Sequence, residues 1–307
     1  MIIVSPDRFP PLSPAQAAAA IAPVVGGTAF PLIDAHLGTS SHFAGERITL
    51  PTTSATGRLT EATYTYNADI TTAFIDMAAA SGEVAGCDPR DGDSYGTGVL
   101  IADAVARGAT TIVLSTGGTG AHDLGAGILT ALGAQLQTTD GRRLSPGALP
   151  LADLGSIDLN SLNTAVLGVT WLVYTPEVKG VDALHQPSVD KLCEQTGVTP
   201  TATSGSGGGV PLALQYLVDL AGSGKVLVFN PLTMSEPYQK LRRTAADADT
   251  VLTATPADGP TALTTAVRKA AGDTEVIELT GAGEREWTPE ALAQWVTSAL
   301  PEPSTGK

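Results

Sequence analysis

A chain of 307 residues, 43% hydrophobic and only 16% charged, carries enough apolar side chain to build large cores, and at that length two domains are expected. Its 17 basic residues against 31 acidic ones give a formal charge of −14, which repels nucleic-acid backbones and anionic membranes at long range and excludes both as partners. Two cysteines without CxxC spacing, Cys87 and Cys193, make neither a disulfide framework nor a zinc site and read as buried thiols; no basic signal region or long apolar run is present, so a cytoplasmic protein is expected.

In chain order, "MIIVSPD" is apolar and β-branched up to a Pro-Asp turn and predicts a short buried strand. "SPAQAAAAIAPVV" follows with Ser13 as cap, a proline in the first turn and an alanine-rich helix. "GTAFPLID" predicts a second strand, and the alternation in "ERITLPTT" and "TEATYTYNAD" predicts an antiparallel hairpin, so the sheet there is mixed. From "TTAFIDMAAASGEV" onward helices return. "SYGTGVLIADAVARGA" predicts a helix capped by Ser94 and ending at Gly108, followed by the strand "TTIVLST". After a glycine turn, "AGILTALGAQL" predicts a helix that ends near Gly133. "AVLGVTWLVYT" reads as a strand, "SVDKLCEQTG" as a short helix, and "GSGGGVPLALQYLVDLAGSG" as a glycine-rich loop entering a helix, with "KVLVF" next. The end of the chain alternates strand and helix in "ADTVLTAT", "GPTALTTAVRKAAG", "EVIELTG" and "TPEALAQWVTSAL", a doubly wound pattern.

The fold class that follows is α/β in two domains. Residues 1–52 with 236–300 form a Rossmann-like, doubly wound domain with a parallel sheet; 53–235 form an inserted α/β domain with a partly mixed sheet; 301–307 are a frayed tail.

The turn "STGGTGAHD" carries the chemistry. Glycines between strand and helix let the backbone approach a ligand and expose N–H groups to an anion, so Gly117, Gly118, Thr119 and His122 are candidate phosphate or substrate contacts and Asp123 a candidate acid–base group. The same residues also suit a tight turn in which His122 and Asp123 merely cap the next helix. The spacing matches neither a dinucleotide fingerprint nor a Walker A loop. Asp7 and Asp34 stand at strand ends, where open α/β sheets bind ligands.

From Asp93 to Leu136 the chain resembles the bacterial-type glycerate kinase family: Ser94, Tyr95, Gly96 and Gly98 fit its helix start, and Gly117, Gly118, Asp123, Gly125 and Gly133 its Gly-Gly-Ser-Ala-Thr-Asn-Asp-Gly-Gly turn and helix end. Thr119 is conservative there, whereas Gly120, Ala121, His122 and Leu124 depart. Asp7 and Ser13 fit the family's opening loop, but its lysine is missing and Arg8-Phe9-Pro10-Pro11 stands instead. Asp34, Gly38 and Thr39 fit a second loop in which Leu37 replaces a glutamate, and Lys179 lies near the family's central substrate loop.

The resemblance implies ATP- and Mg²⁺-dependent phosphoryl transfer to a hydroxyl of D-glycerate, with Asp7 and Asp123 catalytic and Arg8, Ser13, Asp34 and Ser94 joining the glycine turn as substrate or phosphate contacts. The partner is then a small hydroxy acid, with metal ligands and oligomeric state open. Loss of the motif cations implies as alternative an inactive homologue that binds a metabolite or partner. "STGGTGAHD" also looks like molybdenum-cofactor adenylylating proteins, a minor alternative.

Overall fold

The computed structural model describes residues 1–283 and 285–300; the tail expected at 301–307 lies outside the described residues. The chain opens with β1 (Ile2–Val4), α1 (Pro14–Val25) and β2 (Thr28–Ala29). It continues through β3 (Glu46–Thr53), β4 (Leu59–Asn67), β5 (Thr72–Asp76), α2 (Met77–Ser81), α3 (Tyr95–Ala106), β6 (Thr111–Ser115) and α4 (Ala126–Ala131). Then come β7 (Gln135–Thr138), β8 (Leu154–Asp158), β9 (Thr170–Tyr174), α5 (Gln186–Thr196), α6 (Val210–Ala221) and β10 (Lys225–Phe229). It closes with α7 (Pro231–Met234), α8 (Glu236–Ala245), β11 (Thr250–Ala254), α9 (Ala262–Ala271), β12 (Glu275–Leu279) and α10 (Pro289–Ala299).

Two compact units result: Met1–Asp34 with Pro231 onward, and Ala35–Asn230 between them. The passages therefore fall at 34 and 230 rather than at 52 and 235, because β3 is the edge strand of the larger unit's sheet.

The smaller unit is built on a four-stranded parallel sheet in the order β12-β11-β1-β2. Alternation along the central strands decides which helix covers which face. Ile3 and Val251 pack with Leu241, Leu263 and Val267 under α8 and α9, whereas Val4 and Leu252 pack with Ile21, Leu292 and Val296 under α1 and α10. The doubly wound arrangement is thereby present, with helices on both faces. At 12 residues α1 is marginal by itself in water, and it is held by burial of Ile21 and Ala17 and by its ends. Ser13 makes a full capping box with Gln16, and Gly26 closes the helix at φ +62°.

The larger unit has a six-stranded sheet, β10-β9-β6-β5-β4-β3, parallel from β10 to β5 and antiparallel across β4 and β3, as the mixed pattern predicts. Its interior is one continuous cluster that includes the fully buried Trp171, Tyr64 and Leu100. Two segments differ from expectation. "TAFID" is the fully buried strand β5, and helix begins only at Met77. Gly133 at φ +102° ends α4 where the sequence places its end, but "QLQT" beyond it is a strand the sequence did not announce, β7, paired with β8 in a two-stranded sheet. The cysteines also differ: Cys87 is exposed and Cys193 only partly covered, since Cys87 lies in a loop and Cys193 at the edge of the amphipathic α5.

Candidate functional site

The glycine turn of the larger unit leaves β6 and is fastened on every side by backbone bonds. Thr116 donates its N–H to Tyr174 O at 2.9 Å, Gly117 to Ala35 O at 2.8 Å, Gly120 to Ser81 O at 2.8 Å and His122 to Pro89 O at 2.8 Å. A Cβ at Gly117 would lie 2.7 Å from Ala35 O and from the His36 ring, so only glycine lets these segments approach. Leu124 takes φ +58°, a left-handed conformation that costs roughly 1–2 kcal/mol in a side-chain-bearing residue. Its fully buried side chain and its N–H bond to Gly208 O hold it there.

Asp123 is fully buried behind this turn. Its Oδ2 accepts the Ser94 N–H at 2.8 Å, the Ser94 hydroxyl at 2.8 Å and the Gly127 N–H at 2.9 Å, while Oδ1 accepts the Gly125 N–H at 3.1 Å. Both oxygens are thus engaged by the starts of α3 and α4, the capping arrangement that the sequence left open. Ser94 departs from expectation: its backbone at φ −85° and ψ 9° is not the extended conformation of a capping residue, so its hydroxyl makes no cap bond to α3 and accepts the Ile128 N–H of α4 at 3.1 Å, while Asp93 Oδ1 takes the Tyr95 N–H at 2.9 Å.

On the open side of the turn a cavity of about 190 Å³ is lined by the segment Thr116–Thr119, His122, Glu83, the loop from Thr175 to Lys179 and the glycines 205, 207 and 208. Gly207 adopts φ +57°, and a Cβ there would stand 2.5 Å from Thr116 Cβ. The Gly118 N–H finds no acceptor among the described residues. Lys179 is half-exposed, with its ammonium 2.8 Å from Glu177, and its own N–H is fixed by the Ser206 hydroxyl at 3.0 Å. Burial pushes the His122 imidazole below its ordinary range and Lys179 adds to this, against Asp123, Asp88 and Glu83. Of the sequence candidates, Gly117, Gly118, Thr119 and His122 therefore share one cavity, with Ser94 and Asp123 behind them.

The other candidates lie in the smaller unit. Asp7 Oδ2 accepts the Thr261 hydroxyl at 2.5 Å and the Thr255 hydroxyl at 3.4 Å, and Oδ1 accepts the Arg8 N–H at 2.7 Å. Burial nevertheless holds the Asp7 carboxyl above the usual range, opposed by the Thr261 bond and helped by the charge of Asp34. Arg8 pairs with Asp34 through Nε at 2.9 Å and through its terminal amine at 2.8 Å. Ser13 is committed to its capping box. Asp7, Arg8 and Asp34 thus form one cluster, and Ser13 serves the helix.

Sequence reasoning missed Glu83, Thr255, Thr261 and Asp76. None sits in a motif; only the strand-end position of Asp76 was a signal. Asp76 is almost wholly buried and accepts the N–H groups of Gly38 and Ser40 and the Ser40 hydroxyl. Burial drives it up to about 6 despite these donors. Among the described residues no group of three His, Cys, Asp or Glu side chains is placed to hold a metal ion, and no helix is long and apolar enough to cross a membrane.

A family model described as the glycerate kinase family matches residues 2–176. A glycerate 2-kinase of Escherichia coli (strain K12) is 40% identical over 115 residues, which cover 36% of this chain and 30% of that protein. A glycerate kinase of Bacillus subtilis (strain 168) is 33% identical over 184 residues, 55% of this chain and 48% of that protein. The matches thus span less than half the length of these curated relatives. The fold is similar to a crystal structure whose protein is assigned as glycerate kinase 2, from Salmonella typhimurium LT2, with a TM-score of 0.70 and 25% identity over 91% of this chain and 86% of that one.

Proposed function

The chain belongs to the glycerate kinase family, and on that premise we propose that it transfers a phosphoryl group from ATP to a hydroxyl of D-glycerate or a closely similar hydroxy acid. The observation that carries this reading is the cavity of the larger unit, where a glycine turn with a free N–H at Gly118 meets the ammonium of Lys179. Phosphoryl transfer is catalysed by positioning and charge neutralisation, and these are the two elements it needs.

The residues present fit a nucleotide phosphate at this turn. Gly117 and Gly207 let neighbouring segments close around the turn, Gly118 offers its N–H, and Lys179 supplies the cation that the opening loop lacks. Mg²⁺ binds through one or two carboxylates and the phosphates themselves, and Glu83 and Glu177 are the carboxylates at this cavity. Bound ATP and Mg²⁺ would supply the phosphoryl group and its neutralisation. His122, held below its ordinary range by burial, adds a polar contact to the phosphate, and Asp123 positions the turn through Ser94. In the smaller unit Asp7 is the proposed acid–base group, with Arg8 and Asp34 as contacts of the hydroxy acid; these roles rest on the family resemblance.

A second reading, a metabolite-binding homologue without turnover, is favoured by Leu37 where the family carries a glutamate and by the lysine missing from the opening loop, where the nearby Arg8 is already paired with Asp34. Measurement of ADP release separates the two. Release that requires D-glycerate, ATP and Mg²⁺ together supports the kinase; none above the blank at high protein concentration overturns it. Stabilisation by ATP or D-glycerate without turnover then supports the second reading.

A further inference from the structure

A second cavity of the larger unit, about 320 Å³, shares no lining residue with the first. It lies where the starts of α3 and α4 face the turn between β7 and β8, and it holds one carboxylate and one guanidinium, Asp93 and Arg143. Asp93 Oδ1 accepts the Tyr95 N–H at 2.9 Å, and its Oδ2 has no hydrogen-bond partner among the described residues. Arg143 forms no ion pair among the described residues, whereas its neighbours Arg142 and Arg90 are each paired with an aspartate two residues away. Gly127 makes the room: a Cβ there would lie 2.0 Å from Asp93 Oδ1. Leu136, Leu144 and Leu151 supply an apolar wall.

Two opposite charges thus border one small cavity without joining. A simple cation placed there meets the guanidinium, and a simple anion meets the carboxylate, so neither is matched. A ligand with an ammonium and a carboxylate of its own satisfies both, and an aliphatic side chain satisfies the leucines. We propose that this cavity binds a small aliphatic α-amino acid, with its ammonium on Asp93 Oδ2, its carboxylate on Arg143 and its side chain against Leu136, Leu144 and Leu151. Burial and the nearby Asp123 hold the Asp93 carboxyl up to about 6, with Arg143 acting against them, so an ammonium relieves a carboxylate that is costly to ionise. The site stands independently of the phosphoryl-transfer reading.

The test is calorimetric titration of the full chain at pH 7.5 with glycine, L-alanine, L-valine and L-leucine, each up to about 10 mM, beside isobutylamine and isovalerate as single-charge probes. Binding by at least one amino acid and by neither probe is expected. Arg143→Met, an exposed position whose loss leaves the core intact, and Asp93→Asn are each expected to weaken it at least tenfold, the scale of one charge-assisted hydrogen bond. No binding of any amino acid, undiminished binding in Arg143→Met, or equal binding of a single-charge probe would each overturn the assignment.

Discussion

One oxygen of Asp123 receives both the backbone N–H and the hydroxyl of Ser94, each at 2.8 Å. The two residues lie 29 positions apart, and their junction ties the start of α3 to the glycine turn. Substitution of Asp123 by Asn puts an amide N–H₂ against these donors or turns the remaining oxygen from the others. A loss of about 2–4 kcal/mol is expected from the midpoint of urea unfolding, because the carboxylate is fully buried and its donors cannot reach water. Ser94→Ala removes fewer bonds and is expected to cost about half as much. Equal stability of Asp123→Asn and the parent would contradict this arrangement.

Stability is expected to fall between about pH 4 and pH 6. Asp76 and Asp93 each titrate near 6 in the folded chain against 3.8 for an ordinary aspartate. Below pH 4 both states are protonated. As pH rises, the unfolded chain ionises first while the folded one still holds its protons, so the folded state loses ground until pH 6 and the loss is constant above it. Each group contributes up to roughly 3 kcal/mol on this scale. Asp93→Asn keeps an oxygen for the Tyr95 N–H and is expected to raise stability at pH 7 by about 1–3 kcal/mol with no gain at pH 4. A gain of the same size at both pH values would refute the linkage.

Thr261→Val removes the shortest bond to Asp7. That bond lowers the carboxyl against the effect of burial, so the Asp7 titration is expected to move further upward, followed by the side-chain carboxyl carbon in NMR. A downward move would show that the hydroxyl acts otherwise.

Much of this arrangement was open to sequence reading, and what escaped has a common cause. β1, α1, β6 and the alternating end of the chain carry their signals locally: β-branched runs, Ser13 with its proline and Gln16, and glycine at helix ends. β5 escaped because "TAFID" flows into "MAAAS" without a turn residue, and only its position between β4 and β6 makes it a strand. Ser94 has the look of a helix cap, yet which helix its hydroxyl serves is decided by the backbone conformation it takes in the fold. Part of the cavity escaped for the same reason, since Glu83 is joined to His122 and Lys179 only by folding.

Lys179→Ala is expected to lower kcat/KM for D-glycerate phosphorylation by about 10²–10³, the cost of removing one stabilising charge from a transferring group. Lys179→Arg is expected to recover part of it. Since Lys179 is half-exposed, the unfolding midpoint is expected to stay within the usual surface range of about 0.5 kcal/mol. A variant with full activity would remove Lys179 from the proposed site.

Gly207→Ala places a methyl group against Thr116 at a left-handed position. Both effects oppose folding, by about 1–3 kcal/mol together, and the cavity shrinks. ATP binding, followed by equilibrium dialysis of the folded variant, is expected to weaken at least tenfold, or about 1.4 kcal/mol. Unchanged affinity would place the nucleotide elsewhere.

The smaller unit is assembled from both flanks of the larger one, and this has a consequence in time. Ile3 of β1 pairs with Val251 of β11, so β1 has no central neighbour until 248 further residues have been made. At about 5–20 residues per second that interval is roughly 12–50 seconds. During it an apolar strand and an alanine-rich helix stand without their sheet, while Ala35–Asn230 is already complete. The order of birth is therefore the larger unit first and the smaller one last, with the opening segment as the part most exposed to chaperones and to premature association.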